Sequence, residues 1–300
     1  DTISTSVPVT PQGGELTVTL AAGSDSEEIC QGGVQILTAT PAGGKSPYKY
    51  VWYKDDAEME IADDIAVITV SDAATYKVVV SDAGTPQQSK MADVSLRVSA
   101  TQTAPAVVVP DLTIPTGNST LLLAEVTPAN GSYAYQWAKA ADLKDAEQVN
   151  LKNPETKLLT GDTPYEVIVK DGNGCYALAS GTVRVDDVNG FIVLATAEQN
   201  KACIGNTVQL NATLSGNVPA NVTYEWIPAD GLSATNVANP KFVSSVAGEQ
   251  EYIVKVTSDG GYVAVAKVNI EVENKTAPTL QLTPTEDIAC AGQQITVTAQ

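Results

Sequence analysis

Apolar and polar residues alternate with a period of two over most of the chain, in short runs such as Leu16–Ala22, Val34–Thr40, Tyr76–Ser81, Val94–Val98 and Val263–Val272. That period predicts half-buried β-strands, because successive side chains of an extended chain point to opposite faces. Clusters of Gly, Asn, Asp and Pro separate the runs at the spacing of a sandwich built from short strands. Helical periodicity is scarce: the segment Lys139–Val149 predicts one turn at most. The expected fold class is all-β.

A repeat organises the runs. Three Tyr-x-Trp triplets, Tyr50-Val51-Trp52, Tyr135-Gln136-Trp137 and Tyr224-Glu225-Trp226, are each followed by a valine-rich strand that opens on Tyr76, Tyr165 or Tyr252. These anchors recur roughly every 87 residues, the size of one small β-sandwich. Aligning on them assigns strand roles in the first repeat: Leu16–Ala22 is A, Val34–Thr40 B, Tyr48–Tyr53 C, Ala66–Val70 E, Tyr76–Ser81 F and Ala92–Val98 G. The other repeats follow the same order. A tryptophan on strand C is the central core residue of an immunoglobulin-like sandwich, and a tyrosine opening strand F is its tyrosine corner. Trp52, Trp137, Trp226, Tyr76, Tyr165 and Tyr252 are therefore expected in the structural core, where burying each tryptophan contributes roughly 3 kcal/mol.

The expected boundaries are an N-terminal extension at 1–14, sandwiches at 15–99, 104–187 and 190–273, and a partial fourth domain at 277–300 with strands A and B only. Candidate linkers Ser99–Ala104, Asp186–Gly190 and Glu273–Ala277 are only a few residues long, so neighbours should touch. Head-to-tail stacking then predicts an elongated array, at roughly 40 Å per domain. The first residues lack the charged and apolar regions of a signal peptide, and the last read as mid-strand, so the chain is expected to belong to a longer protein.

Charge narrows the partners. Lysine and arginine number 17 against 35 acidic residues, a formal charge of −18. Such a surface repels phosphate backbones and anionic lipid, which argues against nucleic-acid and membrane-surface binding. No apolar run is long enough to span a bilayer. Histidine is absent, removing the commonest general base and excluding a Ser-His-Asp triad, and no Gly-x-Ser-x-Gly elbow is present. We expect no enzyme activity, no catalytic or cofactor-binding residue and no cofactor. Two acidic groups invite a calcium reading. The cluster Asp55, Asp56, Glu58, Glu60, Asp63 and Asp64 lacks the spacing of a known calcium loop and reads as a solvated face; Asp186 and Asp187 beside Asn189 are the better placed. No metal site is expected from either.

Local motifs add a resemblance. Ile29-Cys30-Gln31-Gly32-Gly33, Ala202-Cys203-Ile204-Gly205-Asn206 and Ala289-Cys290-Ala291-Gly292-Gln293 share a Cys-x-Gly turn before strand B. The third repeat continues from Trp226 through Ile227-Pro228-Ala229-Asp230-Gly231-Leu232-Ser233 to Asn239-Pro240, and the second carries Asp171-Gly172-Asn173-Gly174-Cys175 between F and G. Together these resemble the tandem PKD-like and Ig-like repeats of large secreted and outer-surface proteins of Gram-negative bacteria. The Trp-Asp-Phe-Gly-Asp-Gly signature of PKD domains is missing at all three tryptophans. The resemblance implies an extracellular or outer-surface location, a spacer or adhesion role, and further domains of the same longer chain as neighbours.

The cysteines leave two readings. Cys30, Cys175, Cys203 and Cys290 do not occupy the B and F positions of an antibody-type bridge, and no Cys-x-x-Cys or histidine supports zinc. They are either lone thiols or inter-domain bridges. Stacked head to tail, the A–B turn of one Ig-like domain faces the F–G hairpin of the next, which places Cys30 opposite Cys175 and predicts a disulfide between them. Cys203 would await a hairpin cysteine in a fourth domain. Function follows in two versions: a non-enzymatic, semi-rigid spacer or adhesion segment, or a carbohydrate-binding module presenting tyrosines among Tyr53, Tyr133, Tyr176 and Tyr262, of which Tyr176 and Tyr262 follow F–G turns and are expected to meet the preceding domain. The partner is an unidentified surface protein or glycan.

Overall fold

Extended strands account for nearly all regular structure in the computed structural model, which describes residues 13–23, 26–129 and 131–276. Two further short strands, at Leu282–Pro284 and Val297–Ala299, pair antiparallel. The rest of the proposed fourth domain, with Cys290, lies outside the described residues, as does most of the segment 1–14. Contacts group the chain into two compact units. One comprises Asp1–Pro110, Leu122–Thr156 and Thr163–Thr182; the other comprises Asp111–Leu121, Lys157–Asp162 and Val183–Gln300.

The first unit opens with β1 (Thr17–Ala22), β2 (Glu28–Gln31), β3 (Gln35–Ala42), β4 (Lys49–Lys54), β5 (Ala57–Glu58), β6 (Val67–Val70), β7 (Thr75–Ser81), β8 (Ser89–Ser95) and β9 (Arg97–Thr103). One sheet has the order β1-β3-β6 and the other β5-β4-β7-β8. The alternation seen in the sequence is realised on β7, where buried side chains at every second position alternate with exposed or half-buried ones. Trp52 and Tyr76 sit at the centre of the core between these sheets, with Leu37, Val78 and Val80 around them.

Strand A departs from the expectation. It runs antiparallel to β3 as β1, then crosses to the opposite side as β2, which pairs in parallel with β9. Cys30 is therefore on a short strand, not in an A–B turn. Residues 99–103, expected as linker, belong to β9. Neither segment was visible as a strand, because four residues on β2 and the polar run Ser99-Ala100-Thr101-Gln102-Thr103 carry no apolar alternation; main-chain pairing alone makes them strands.

In the second repeat β10 (Ala106–Val108) pairs with β12 (Glu125–Thr127), and β11 (Leu112–Ile114) pairs in parallel with the end of the last strand, β15 (Tyr176–Val185). Strand β13 (Tyr133–Trp137) pairs antiparallel with β14 (Thr163–Asp171). In place of a regular strand E the chain makes two 3-10 turns, Ala140–Asp142 and Ala146–Asn150, followed by isolated bridges. The third repeat restores the full pattern. Its strands are β16 (Phe191–Ala197), β17 (Lys201–Ile204), β18 (Thr207–Gly216), β19 (Val222–Ile227), β20 (Lys241–Val243), β21 (Gly248–Ser258) and β22 (Val263–Thr276). The sheets are ordered β16-β18-β20 and β17-β22-β21-β19. The chain is thus an all-β tandem array of Ig-like sandwiches. No helix among the described residues is long and apolar enough to cross a membrane.

The repeat anchors share one hydrogen-bonding solution. Trp52, Trp137 and Trp226 are 0%, 2% and 1% exposed. Each indole Nε1 donates to a downstream backbone carbonyl, that of Ile65 at 2.8 Å, Leu151 at 3.0 Å and Val237 at 2.9 Å. A buried N–H is satisfied in every case, so the indole sits in the core without the penalty of an orphaned donor. The tyrosines diverge. Tyr76 donates to the Asp72 carbonyl four residues upstream, as a tyrosine corner does, at 3.1 Å. Tyr252 reaches instead to the Asp230 carbonyl in the loop after β19. Tyr165 has no hydrogen-bond partner among the described residues.

That divergence has measurable consequences. Tyr165→Phe should leave stability unchanged or raise it by up to roughly 1 kcal/mol, whereas Tyr76→Phe should lower it by about 1 kcal/mol, read by urea denaturation. Burial pushes the hydroxyls of Tyr165 and Tyr252 up to about 12. A phenol whose folded pKa lies above its unfolded value of about 10 favours folding fully below pH 10, and that contribution is lost as pH rises towards 12. Ultraviolet titration should accordingly find two tyrosines ionising last, with stability falling through the same window.

Candidate functional site

The junction between the first two repeats lies within the first unit, and it is covalent. Cys30 on β2 and Cys175 in the turn before β15 form a disulfide, with Cα atoms 5.6 Å apart and a sequence separation of 145. Both are buried, at 6% and 1% exposure. The turn that presents Cys175 is organised by Asp171, whose Oδ1 accepts the backbone N–H of Asn173 at 2.9 Å and of Cys175 at 2.8 Å. Gly174 supplies the left-handed backbone there, at φ 89°.

Tyr176 forms a second clasp beside the disulfide. Its carbonyl accepts the Val34 N–H at 2.9 Å, and its hydroxyl donates to the Gly23 carbonyl at 2.7 Å. Two glycines of the first repeat make room for it. A Cβ at Gly33 would stand 2.4 Å from the Tyr176 carbonyl oxygen, and one at Gly23 3.2 Å from its hydroxyl. The Lys170 ammonium lies over the Tyr176 ring, 5.1 Å from its centre. Tyr176 is a buried junction residue, the contact its place after the F–G turn predicts, and not the exposed sugar-facing ring of the alternative reading.

The junction between the second and third repeats lies in the second unit and is held by hydrogen bonds. Asp187 accepts the Thr116 N–H at 2.7 Å on one carboxylate oxygen and the Thr116 hydroxyl at 2.9 Å on the other. Its backbone carbonyl accepts Asn217 Nδ2 at 2.6 Å. Asp186 accepts the Val188 and Asn189 N–H groups and the Asn189 side chain. That last bond, with the two from the backbone, holds the Asp186 carboxyl below the usual carboxylate range. The Asp186 carboxylate serves its own turn, whereas that of Asp187 reaches across to Thr116. Cys203 on β17 is free among the described residues.

The first acidic cluster is dispersed too. Asp56 pairs with Lys77 at 2.6 Å and Asp63 with Lys49 at 2.8 Å, while Asp55 and Asp56 occupy a tight turn at φ 47° and 64°. Among the described residues no group of three or more metal-binding side chains comes together. Solvent screens such exposed pairs, so they contribute little to stability.

One recurring residue escaped sequence reasoning. Each repeat places an aspartate at the end of strand F: Asp82, Asp171 and Asp259. Asp82 is buried at 2% exposure. Its carboxylate accepts the Gln88 N–H at 2.7 Å and the Lys45 N–H at 3.0 Å, tying the F–G and B–C loops together. The Gln88 bond is the main cause of its lowered pKa. Asp259 in turn accepts Asn221 Nδ2 at 3.2 Å from the B–C loop. The signal was available as an aspartate with a glycine one or two residues later, after each tyrosine-opened strand.

No protein-family model matches the chain, and no curated protein matches it in sequence. Solved structures similar to it include three N-terminal domains of the highly immunogenic outer capsid protein Hoc of bacteriophage RB49. That match is 20% identical over 87% of this chain and 100% of the other, with a TM-score of 0.26. The N-terminal Ig1-2 module of the Drosophila receptor protein tyrosine phosphatase DLAR is 12% identical over 56% of this chain and 98% of its own, with a TM-score of 0.37. A Bacteroides ovatus SGBP-B, solved with a mixed-linkage heptasaccharide, is 14% identical over 95% of this chain and 74% of its own, with a TM-score of 0.19.

Proposed function

We propose that the chain is a non-enzymatic segment of a bacterial cell-surface or secreted protein, serving as a semi-rigid spacer or adhesion module of PKD-like and Ig-like repeats. The observation that supports it best is the disulfide and tyrosine clasp joining the first two repeats. A bridge of this kind forms and persists in an oxidising compartment, which favours an extracytoplasmic location. A covalent link between consecutive sandwiches has a mechanical effect above all: it suppresses bending at the joint it crosses. In this reading residues 15–99, 104–187 and 190–273 are the three complete domains, and the Gram-negative surface proteins they resemble supply the setting. Partners are further domains of the same chain and a surface protein or glycan.

Small-angle scattering tests the spacer. At roughly 40 Å per sandwich, the oxidised protein should show a maximum dimension of about 120 Å. A compact globular profile would overturn the reading.

A further inference from the structure

Two clefts are built from the same three elements in consecutive repeats, each within its own unit. The first has a volume of about 590 Å³ and lies among the segment 103–106, the B–C loop and the F–G turn; its walls include Pro105, Pro128, Ser132, Tyr133, Asp171 and Asn173. The second, about 730 Å³, lies among the corresponding segment at 188–189, the B–C loop and the F–G hairpin, and includes Asn189, Asn217, Val218, Pro219, Asp259 and Tyr262. Both volumes suit a small-molecule ligand.

In each cleft a tyrosine is backed by a glycine. The Tyr133 ring lies so close over Gly131 that a Cβ there would stand 2.7 Å from Cε2, and a Cβ on Gly260 would stand 2.9 Å from Cε2 of Tyr262. The Tyr133 hydroxyl is fixed by donation to the Pro128 carbonyl at 2.7 Å. Beside each ring stand planar polar groups. Asp171 uses only Oδ1 in its turn, and neither its Oδ2 nor the Asn173 side chain is engaged by the described residues. Asp259 uses Oδ2 towards Asn221.

We infer that these two clefts are binding sites for neutral saccharides. A sugar ring offers an apolar face of C–H groups and an equatorial rim of hydroxyls. A preset tyrosine ring meets the first; in the first cleft the Asp171 carboxylate and Asn173 carboxamide accept from and donate to the second, and in the second cleft the Asp259 carboxylate accepts from it. Charge selects among sugars. No lysine or arginine lines either cleft among the described residues, each has an aspartate, and the chain carries −18 overall, so uronic, sialic and sulfated sugars are repelled. The inference is separate from the spacer reading, which scattering decides by itself.

Isothermal calorimetry with neutral gluco-, xylo-, manno- and galacto-hexasaccharides, and a hexuronate as the charged probe, tests it. At least one neutral probe should bind with two sites per chain. Tyr133→Ala and Tyr262→Ala should each reduce the stoichiometry to one, and the double variant should weaken binding at least tenfold. Tyr53→Ala should change nothing, because the Lys77 ammonium already covers that ring at 4.7 Å. Nuclear magnetic resonance on the unaltered protein, independent of any variant's folding, should show shifts at Gly131, Ser132 and Asn173. No binding by any neutral probe, preference for the hexuronate, or full binding by the double variant would overturn the inference.

Discussion

Replacing Trp226 with alanine should lower the stability of the third sandwich by about 4 kcal/mol, the range found when a large aromatic side chain is removed from a packed core. The residue is 1% exposed and lies among Phe191, Leu210, Val254 and Ile270. Its loss empties a large volume, and it also leaves the Val237 carbonyl without the indole donor. Because each sandwich has its own hydrophobic core, the damage should be local. Deuterium uptake should rise across residues 191–272, while peptides covering β4 and β7 keep their protection. A loss under about 1 kcal/mol would contradict the assignment of Trp226 as the central core residue. Uniform uptake along the whole chain would contradict the division into separate domains.

Breaking the junction disulfide is the second large effect. Cys175→Ser should destabilise the first unit by up to about 5 kcal/mol, since loop-closure entropy grows with the number of residues enclosed, and this bond encloses a long segment. Cys30→Ser should do the same, and the double variant no more than either, because the two thiols make one bond. Tyr176 should keep part of the joint in place. Its bonds to Val34 and Gly23 do not depend on the sulfur atoms, so exchange at the Val34 amide should quicken in either variant without reaching the unprotected rate. Non-reducing peptide mapping supplies the direct check. Finding Cys30 and Cys175 both alkylated in the native protein would remove the staple altogether.

These two effects differ in how far the sequence announced them. Trp52, Trp137 and Trp226 stood out because the same aromatic residue recurs before the same kind of strand, and a core must be filled in every copy. The pairing of Cys30 with Cys175 followed from fold topology, which puts one end of a sandwich against the opposite end of the next. Its local setting did not follow. A four-residue strand such as β2 has no periodicity to detect, and its pairing with β9 exists only because strand A changes sheets. The tyrosines show the same limit. Tyr76, Tyr165 and Tyr252 open equivalent strands, yet their hydroxyls have three different fates, because the acceptor is a backbone carbonyl placed by loops of unequal length.

Alternation and recurrence along the chain were enough to establish an all-β array of Ig-like sandwiches, its repeating core and the cysteines that meet at its first joint. Those features depend on periodicity and on spacing, which are properties of a linear string. Only folding decided which groups Tyr176 clasps, that Asp186 serves its own turn while Asp187 reaches Thr116, and that Tyr133 and Tyr262 each line a cleft beside a glycine and an aspartate. Each of these depends on loops brought together from distant parts of the sequence, where contact is set by three-dimensional packing and leaves no period behind.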